Sequence, residues 1–202
     1  MTSRWIFVEP VKSQGKTDSL DQADLDAITS MVPTLSTIVV ERVKTGEIEA
    51  DGKTSEALVC GTNAEHLRLL KERAKVQVER GRFLESIDVH EEQNVVVLSD
   101  GFARKLFADA DPVGRVVVLE RRTLKVVGIV GDGAPWGAAL THDVYVPLSL
   151  FGPDGDRKVY DGFRFRVESL DQVKTTRDVI QKVIEKRHPD AQFRFEPAAG
   201  TN

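Results

Sequence analysis

The chain has 202 residues, with 28 Lys and Arg against 32 Asp and Glu, for a formal net charge of -4. That length buries a real core as one domain or two small subdomains, and 41% hydrophobic with 30% charged residues is ordinary for a folded globular protein. The acidic balance, with no basic cluster beyond Arg121-Arg122 and Lys186-Arg187, argues against nucleic acid, a partner that demands a basic face.

Met1 to Pro10 lacks a basic stretch followed by an apolar run, so no signal peptide is expected. Apolar runs such as Val95 to Leu98 are too short to cross a bilayer, and the chain reads as soluble by itself. Arg4 to Val8 predicts a short strand stopped by Pro10, and Lys12 to Asp18 a polar loop. Ser19-Leu20-Asp21-Gln22 has the form of a capping box, with Leu25, Ile28 and Val32 at helical spacing behind it and Asp21, Asp24 and Asp26 near the positive helix end. Pro33 should stop that helix, and Thr37 to Val43 should form a strand.

The middle reads as a compact α/β insert. Thr45 to Ala50 and Ser55 to Cys60 predict a hairpin about Asp51-Gly52. Cys60, the one cysteine, excludes an intrachain disulfide and reads as a small buried strand residue. Asn63 should cap a short helix carrying Leu67 and Leu70, and Val76 to Phe83 should be irregular or strand-like. Val95 to Leu98 predicts a buried strand, after which Ser99 caps a helix with Phe102, Leu106 and Phe107. Val116 to Leu119, Leu124 to Val130 and Val144 to Pro147 complete the strands, the last read as edge-type because it ends in proline.

The closing segment repeats the opening grammar. Phe163 to Val167 alternates apolar and polar, the pattern of a half-buried strand. Ser169-Leu170-Asp171-Gln172 repeats the capping-box residues, and Val173, Val179, Ile180, Val183 and Ile184 mark a helix ending at His188-Pro189. That helix should be about two turns longer than the first, with Gln192 to Phe195 as the closing strand. The matching order of strand, cap, helix, proline and strand reads as a structural repeat.

Candidate chemistry is sparse. Gly128, Gly131 and Gly133 follow a strand but miss the dinucleotide spacing, because Trp136 stands at the next glycine position after Pro135 and no helix begins there. An exposed loop tipped by Trp136 is expected instead. His66, His90, His142 and His188 lie singly, and the contacts of His with carboxylate at His90-Glu91-Glu92 and His142-Asp143 are both read as surface loops. Asp109, Asp111, Asp154 and Asp156 read as turn residues, and no Gly-x-Ser-x-Gly elbow exists. No catalytic, cofactor-binding or metal-ligating residue emerges, so the chain reads as non-enzymatic, with no cofactor.

Five phrases in order carry a family resemblance. They are Gly81-Arg82-Phe83 with Asp88, Val95 to Leu98, Leu106-Phe107-Ala108 through Asp111-Pro112-Val113-Gly114, Leu124 to Val130, and Val144 to Pro147. Together they resemble the periplasmic core domain of MacB-like and FtsX-like ABC transporter permeases. Two departures concern local turns: Ala108 stands where glycine is usual, and Glu120-Arg121-Arg122 replaces the common Asn-Gly turn. Asp111-Pro112 with Gly114 has the chemistry of a tight turn, and Gly128 marks a bulge or close approach.

The resemblance implies an α+β (mixed α/β) fold. A porter-like subdomain of two β-α-β units would come from residues 1–60 and 143–202, with a small α/β subdomain, residues 61–142, inserted. It implies an extracytoplasmic, periplasmic location between transmembrane helices that this chain lacks, and a parent permease that is a homodimer. The cytoplasmic ATPase would act on the domain indirectly, and a periplasmic adaptor protein or a lipoprotein substrate would be its partner. The resemblance does not choose among efflux, lipoprotein release and cell-wall regulation. A free-standing ligand-binding or adaptor protein, and a small enzyme using the middle insert, are the competing readings. Convergence of His66, His90 and His142 with carboxylates would favour the enzyme.

Overall fold

The structure is a computed structural model that describes residues 3–11, 19–134, 141–151 and 159–197. In chain order these form β1 (Trp5–Pro10), β2 (Leu20–Asp21), α1 (Gln22–Met31), β3 (Leu35–Ala50), β4 (Lys53–Thr62) and α2 (His66–Ala74). Then come β5 (Val78–Gly81), α3 (Ser86–His90), β6 (Val95–Ser99), α4 (Asp100–Phe107), β7 (Val116–Leu119) and β8 (Arg122–Val130). The last are β9 (Val144–Pro147), a 3-10 turn at Leu148–Leu150, β10 (Val159–Tyr160), β11 (Gly162–Val167), α5 (Gln172–Arg187) and β12 (Phe193–Pro197). The mixed α+β class expected from the sequence is the one observed.

The chain divides into two compact units, Met1–Glu41 with Pro153–Asn202, and Arg42–Gly152. The divisions therefore fall inside β3 and after the 3-10 turn, whereas the sequence placed them after residues 60 and 142. The reason is β3 itself. The sequence suggested separate strands at Thr37–Val43 and Thr45–Ala50, yet Leu35–Ala50 is one 16-residue strand, so no loop marks the change of unit.

In the first unit the strands lie in the order β12-β1-β11-β3, all antiparallel neighbours. Each β-α-β segment, β1-α1-β3 and β11-α5-β12, leaves a gap that a strand of the other fills, a split β-α-β arrangement. Ile6 and Val8 pair with Phe165 and Phe163, all with no exposed surface. α5 packs on β1 and β11, and α1 packs on α5. Helix α1 stops at Met31 before Pro33, and α5 at Arg187 before Pro189. At 16 residues against 10, α5 is longer by roughly two turns.

The caps differ from the serine boxes read in the sequence. Leu20–Asp21 pairs with Val159–Tyr160 in a short ladder, which keeps the chain extended through Asp21. The box at α1 is consequently Asp21 with Asp24: each side chain accepts the other's backbone N–H at 2.9 Å. At α5 the N-cap Asp171 is already helical and its side chain makes no cap. The Ser169 and Leu170 carbonyls accept from Gln172 and Val173 N–H instead, while the Ser169 hydroxyl donates to Asp171.

In the second unit β3 continues the order β3-β4-β9-β6-β8-β5, and β7 pairs with both β3 and β8. That double pairing closes β3, β4, β9, β6, β8 and β7 into a ring, a sheet without an edge along that path. Ile48, Val59, Val96, Leu98, Val126 and Val144 share the core with Phe102, Leu106 and Phe107 of α4. Val95 and Val97 alternate to the other face and meet Cys60, Leu70, Ala74, Phe83 and Tyr145. β6 is thus buried on both faces, as its continuous apolar run predicts.

Several local readings match. Asp51 and Gly52 turn the β3–β4 hairpin with φ of 50° and 75°, and the Ser99 hydroxyl accepts from Phe102 N–H. Two differ. Helix α2 starts at His66 with N-cap Glu65, and what Asn63 gives it is its backbone carbonyl, accepting from His66 N–H at 3.2 Å. Strand β9 lies between β4 and β6, so Pro147 ends a central strand rather than an edge. It is tolerated because it is the terminal residue, paired with Thr62 where the ladder stops.

Candidate functional site

In the second unit, the phrase Gly81-Arg82-Phe83 with Asp88 is a latch. Gly81 and Gly128 face each other across β5 and β8. A Cβ on Gly128 would sit 1.9 Å from the Arg82 carbonyl oxygen, and one on Gly81 would sit 2.2 Å from that of Val127. Two glycines are what let these strands approach so closely. Arg82 then forms a fork on Asp88, Nη1 at 2.5 Å and Nη2 at 2.9 Å, and Glu85 N–H adds a third bond at 2.7 Å. Burial pushes the Asp88 carboxyl up, but the Arg82 guanidinium and Glu85 N–H outweigh it and hold it below the usual carboxylate range. Phe83 is buried beside the latch.

The turn phrases are also explained. Asp111 Oδ1 accepts from Val113 N–H, Pro112 is buried, and Gly114 has φ of 88°. Ala108, where glycine is usual, adopts φ 53° and ψ -122°. Its neighbours close a turn, Ala110 N–H donating to the Phe107 carbonyl at 3.1 Å. Those angles belong to the first central position of a type II′ turn, which glycine dominates. Glu120 and Arg121 have φ of 47° and 70°, the left-handed pair that Asn-Gly supplies more easily. At both departures the backbone of this chain has the positive φ that glycine or Asn-Gly adopts more easily.

The histidines are less scattered than their spacing suggests. His66 is fully buried, Nδ1 lying 2.9 Å from Thr62 Oγ1, and its ring meets His142 at 6.2 Å and Tyr145 at 5.4 Å between centroids. His142 N–H donates to the Tyr145 hydroxyl at 2.9 Å. His90, at the end of α3, is exposed. Two of the three therefore meet, in an aromatic setting with Phe83. Among the described residues no three His, Cys, Asp or Glu side chains converge to hold a metal.

In the first unit Asp24 is fully buried and accepts from Arg187 Nε at 2.5 Å, with His188 Nε2 at 2.9 Å. Sequence adjacency could not reveal this histidine–carboxylate contact, since its partners are more than 160 positions apart. Burial raises the Asp24 carboxyl, and bonds from Arg187, Asp21 N–H and His188 overcome that to hold it below its ordinary value. This clip joins the start of α1 to the end of α5.

β11 is buried along its whole length rather than on one face. Arg164, 6% exposed, bonds Glu9 at 2.6 Å and Glu41 at 2.7 Å, and its guanidinium lies 4.7 Å from the Phe7 ring centre. Phe7 is directly opposite Arg164 on β1, and Glu9 and Glu41 are its diagonal neighbours on β1 and β3. Period-two alternation gave the right strand, but carboxylates on both neighbours bring Arg164 inside.

Of the other candidates, the Cys60 thiol is buried in the strand core as expected. Gly131 to Ala134 leads into no described helix, and Asp132 accepts from Gly101 N–H at 3.0 Å. Asp109 and Asp111 are exposed turn residues. Lys12 to Asp18, Pro135, Trp136, Asp154 and Asp156 lie outside the described residues. A shallow cleft of about 440 Å³ is lined by Lys71, Lys75, Val76, Gln77 and Val78. No described helix is long and apolar enough to cross a membrane.

The family model of the MacB-like periplasmic core domain matches residues 2–183. The chain belongs to that family. The "Macrolide export ATP-binding/permease protein MacB" of Agrobacterium fabrum is 28% identical over 188 residues, covering 89% of this chain and 27% of that protein. The protein of the same name from Chlorobaculum tepidum is 30% identical over 110 residues, 54% of this chain and 17% of its own. The chain thus spans about a quarter or less of the length of these relatives. The periplasmic region of MacB from Actinobacillus actinomycetemcomitans superposes with a TM-score of 0.78 at 16% identity, covering 96% of this chain and 89% of that one. The extracellular domain of the noncanonic ABC-type transporter YknZ, from Gram-positive bacteria, does so at 0.73 and 19%, covering 95% and 99%. Both likenesses concern the fold. Within this MacB-like domain, the latch, the Asp111–Gly114 turn and the Gly128 approach are the family phrases turned into contacts.

Proposed function

We propose that this MacB-like core domain serves, outside the cytoplasmic membrane, as a non-enzymatic moving part of an ABC transporter permease. It carries ATP-driven motion from flanking transmembrane helices to an extracytoplasmic adaptor or substrate. The observation supporting this is the antiparallel pairing of β1 with β12, Ile6 beside Pro197. The chain enters and leaves the first unit at one end, so a displacement of two attached segments would move the unit as a body. Clips such as Asp24–Arg187 and Arg164 with its two glutamates favour rigid transmission over deformation. In this reading the first unit is the porter-like subdomain and the second is the insert. The parent would be a homodimer, with the ATPase acting from the cytoplasm.

Two measurements test the reading. The complete gene should encode a transmembrane helix on each side of this segment; their absence would end the proposal. In the reconstituted full-length transporter, deleting residues 5–197 should leave basal ATP hydrolysis and abolish transport. Transport that survives the deletion would remove the transmission role.

A further inference from the structure

We propose that the open edge of β12 takes up an extended segment of an extracytoplasmic protein partner as a further antiparallel strand, with an acidic side chain set against Arg194. The inference deepens the reading above and rests on it for the choice of a separate protein over a second copy. Among the described residues no strand pairs with the outer side of β12. One bond fixes the phase of its backbone: Val11 N–H donates to the Gln192 carbonyl at 2.8 Å. In an antiparallel ladder alternate residues turn their N–H and C=O to the same neighbour, so Gln192, Arg194 and Glu196 face β1. Phe193 and Phe195 therefore turn both groups outward. Pro10, which has no N–H, stands opposite Phe193, where none is required. A row of outward backbone groups is a template for another strand.

Charge selects the strand. Arg164 on β11 bonds Glu41 of β3 at 2.7 Å and Glu9 of β1 at 2.6 Å, and Glu9 stands directly opposite Arg194 of β12. The register puts all four on one face, since Glu41 and Glu9 lie two residues beyond Val39 and Phe7, which flank Arg164. They form a row of alternating sign across the sheet, and it stops at the open edge on a cation that is 60% exposed. A carboxylate on the next strand continues the alternation. The partner Arg194 now has, Glu196 at 3.6 Å, lies on its own strand and is 55% exposed, a surface pair that contributes little. On the other face Phe193 and Phe195 are half-buried, the Phe193 ring centre 5.2 Å from that of His188. The segment that fits alternates apolar residues, which lie beside these rings, with charged ones, acidic opposite Arg194 and basic opposite Glu196.

A second copy fits less well. Its own β12 meets these charges only by running antiparallel to the first, Arg194 of each copy opposite Glu196 of the other. That arrangement turns the chain ends of the two copies in opposite directions, which two permease subunits in one membrane do not allow.

The test adds the peptide acetyl-Thr-Val-Lys-Val-Glu-Val-Thr-amide to the full 202-residue chain labelled with nitrogen-15. Paired antiparallel with its central valine opposite Phe195, it sets glutamate against Arg194 and lysine against Glu196. The amide signals of Phe193 and Phe195 should move, and their hydrogen exchange should slow. Exchange at Arg194 and Glu196, already bonded to β1, should not change. Replacing the peptide's glutamate with lysine should weaken binding about fivefold, and N-methylating its central valine should abolish it. In Arg194→Glu, an exposed substitution that leaves the core untouched, the preference between the glutamate and lysine peptides should reverse. Binding that leaves Phe193 and Phe195 unmoved, or equal binding of the two peptides to the parent chain, overturns the proposal. Slow exchange at both amides without peptide, growing with protein concentration, also overturns it and assigns the edge to a second copy. Because the flanking gene sequence is read separately, failure here leaves the permease reading standing, and failure there does not change the peptide result.

Discussion

Replacing Ala108 with glycine should stabilise the second unit. Ala108 has φ 53° and ψ -122°, where an L-residue's Cβ crowds its own backbone. Such a conformation costs of order 1–3 kcal/mol and persists only because its surroundings impose it. Here the surroundings are the end of α4 and the turn that follows. Ala108 N–H donates to the Arg104 carbonyl at 2.9 Å, and Ala110 N–H to that of Phe107 at 3.1 Å. Ala108 is exposed, so deleting its methyl removes no core packing. Against the relief stands the greater freedom of glycine in the unfolded chain, about 0.4–1 kcal/mol. The net gain expected is about 1 kcal/mol, or a Tm about 2–4 °C higher for a chain of this size. Urea denaturation followed by far-ultraviolet circular dichroism reads it, with Ala108→Ser as a control that keeps the Cβ and should show no gain. A glycine variant whose midpoint is unchanged or lower would refute the strain argument.

Three further predictions concern the contacts that hold each unit. Arg82→Ala should destabilise by about 2 kcal/mol by leaving the buried Asp88 without its guanidinium, a figure kept low because Arg82 is 37% exposed. A double-mutant cycle with Asp88→Asn checks this, and a coupling near zero would dismiss the latch. Gly128→Ala should cost about 3 kcal/mol, the upper range for overpacking, because its Cβ meets backbone that cannot rotate away; a midpoint within error of the parent would contradict the close approach. Asp24 is held below its ordinary value of 3.8, so its contribution to stability is present above that pH and is lost as pH falls through the lower folded value. Stability of the parent should therefore drop more steeply below about pH 4 than that of Asp24→Asn, as read by urea midpoints across an acid series; parallel curves would count against the clip.

What the sequence alone determined is what depends on neighbours along the chain. Hydrophobic period located α1, α2, α4 and α5 and the longer strands but not the five-residue α3 or the two-residue β2 and β10, while Asp51-Gly52 located a hairpin and Ser99 its cap, because each is settled within a few residues. The phrases around Gly81, Asp111 and Gly128 carried the family, because close backbone approach and positive φ restrict residue type wherever they occur. The tertiary structure decided what depends on distant residues. The serine boxes gave way to Asp21 with Asp24 because strand β10, about 140 positions away, holds Leu20–Asp21 extended. Arg164 and Arg166 lie buried in a strand read as half-exposed, Arg164 because Glu9 and Glu41 on the flanking strands meet its charge. His188 found Asp24, and His66 found His142, across separations that no local pattern records.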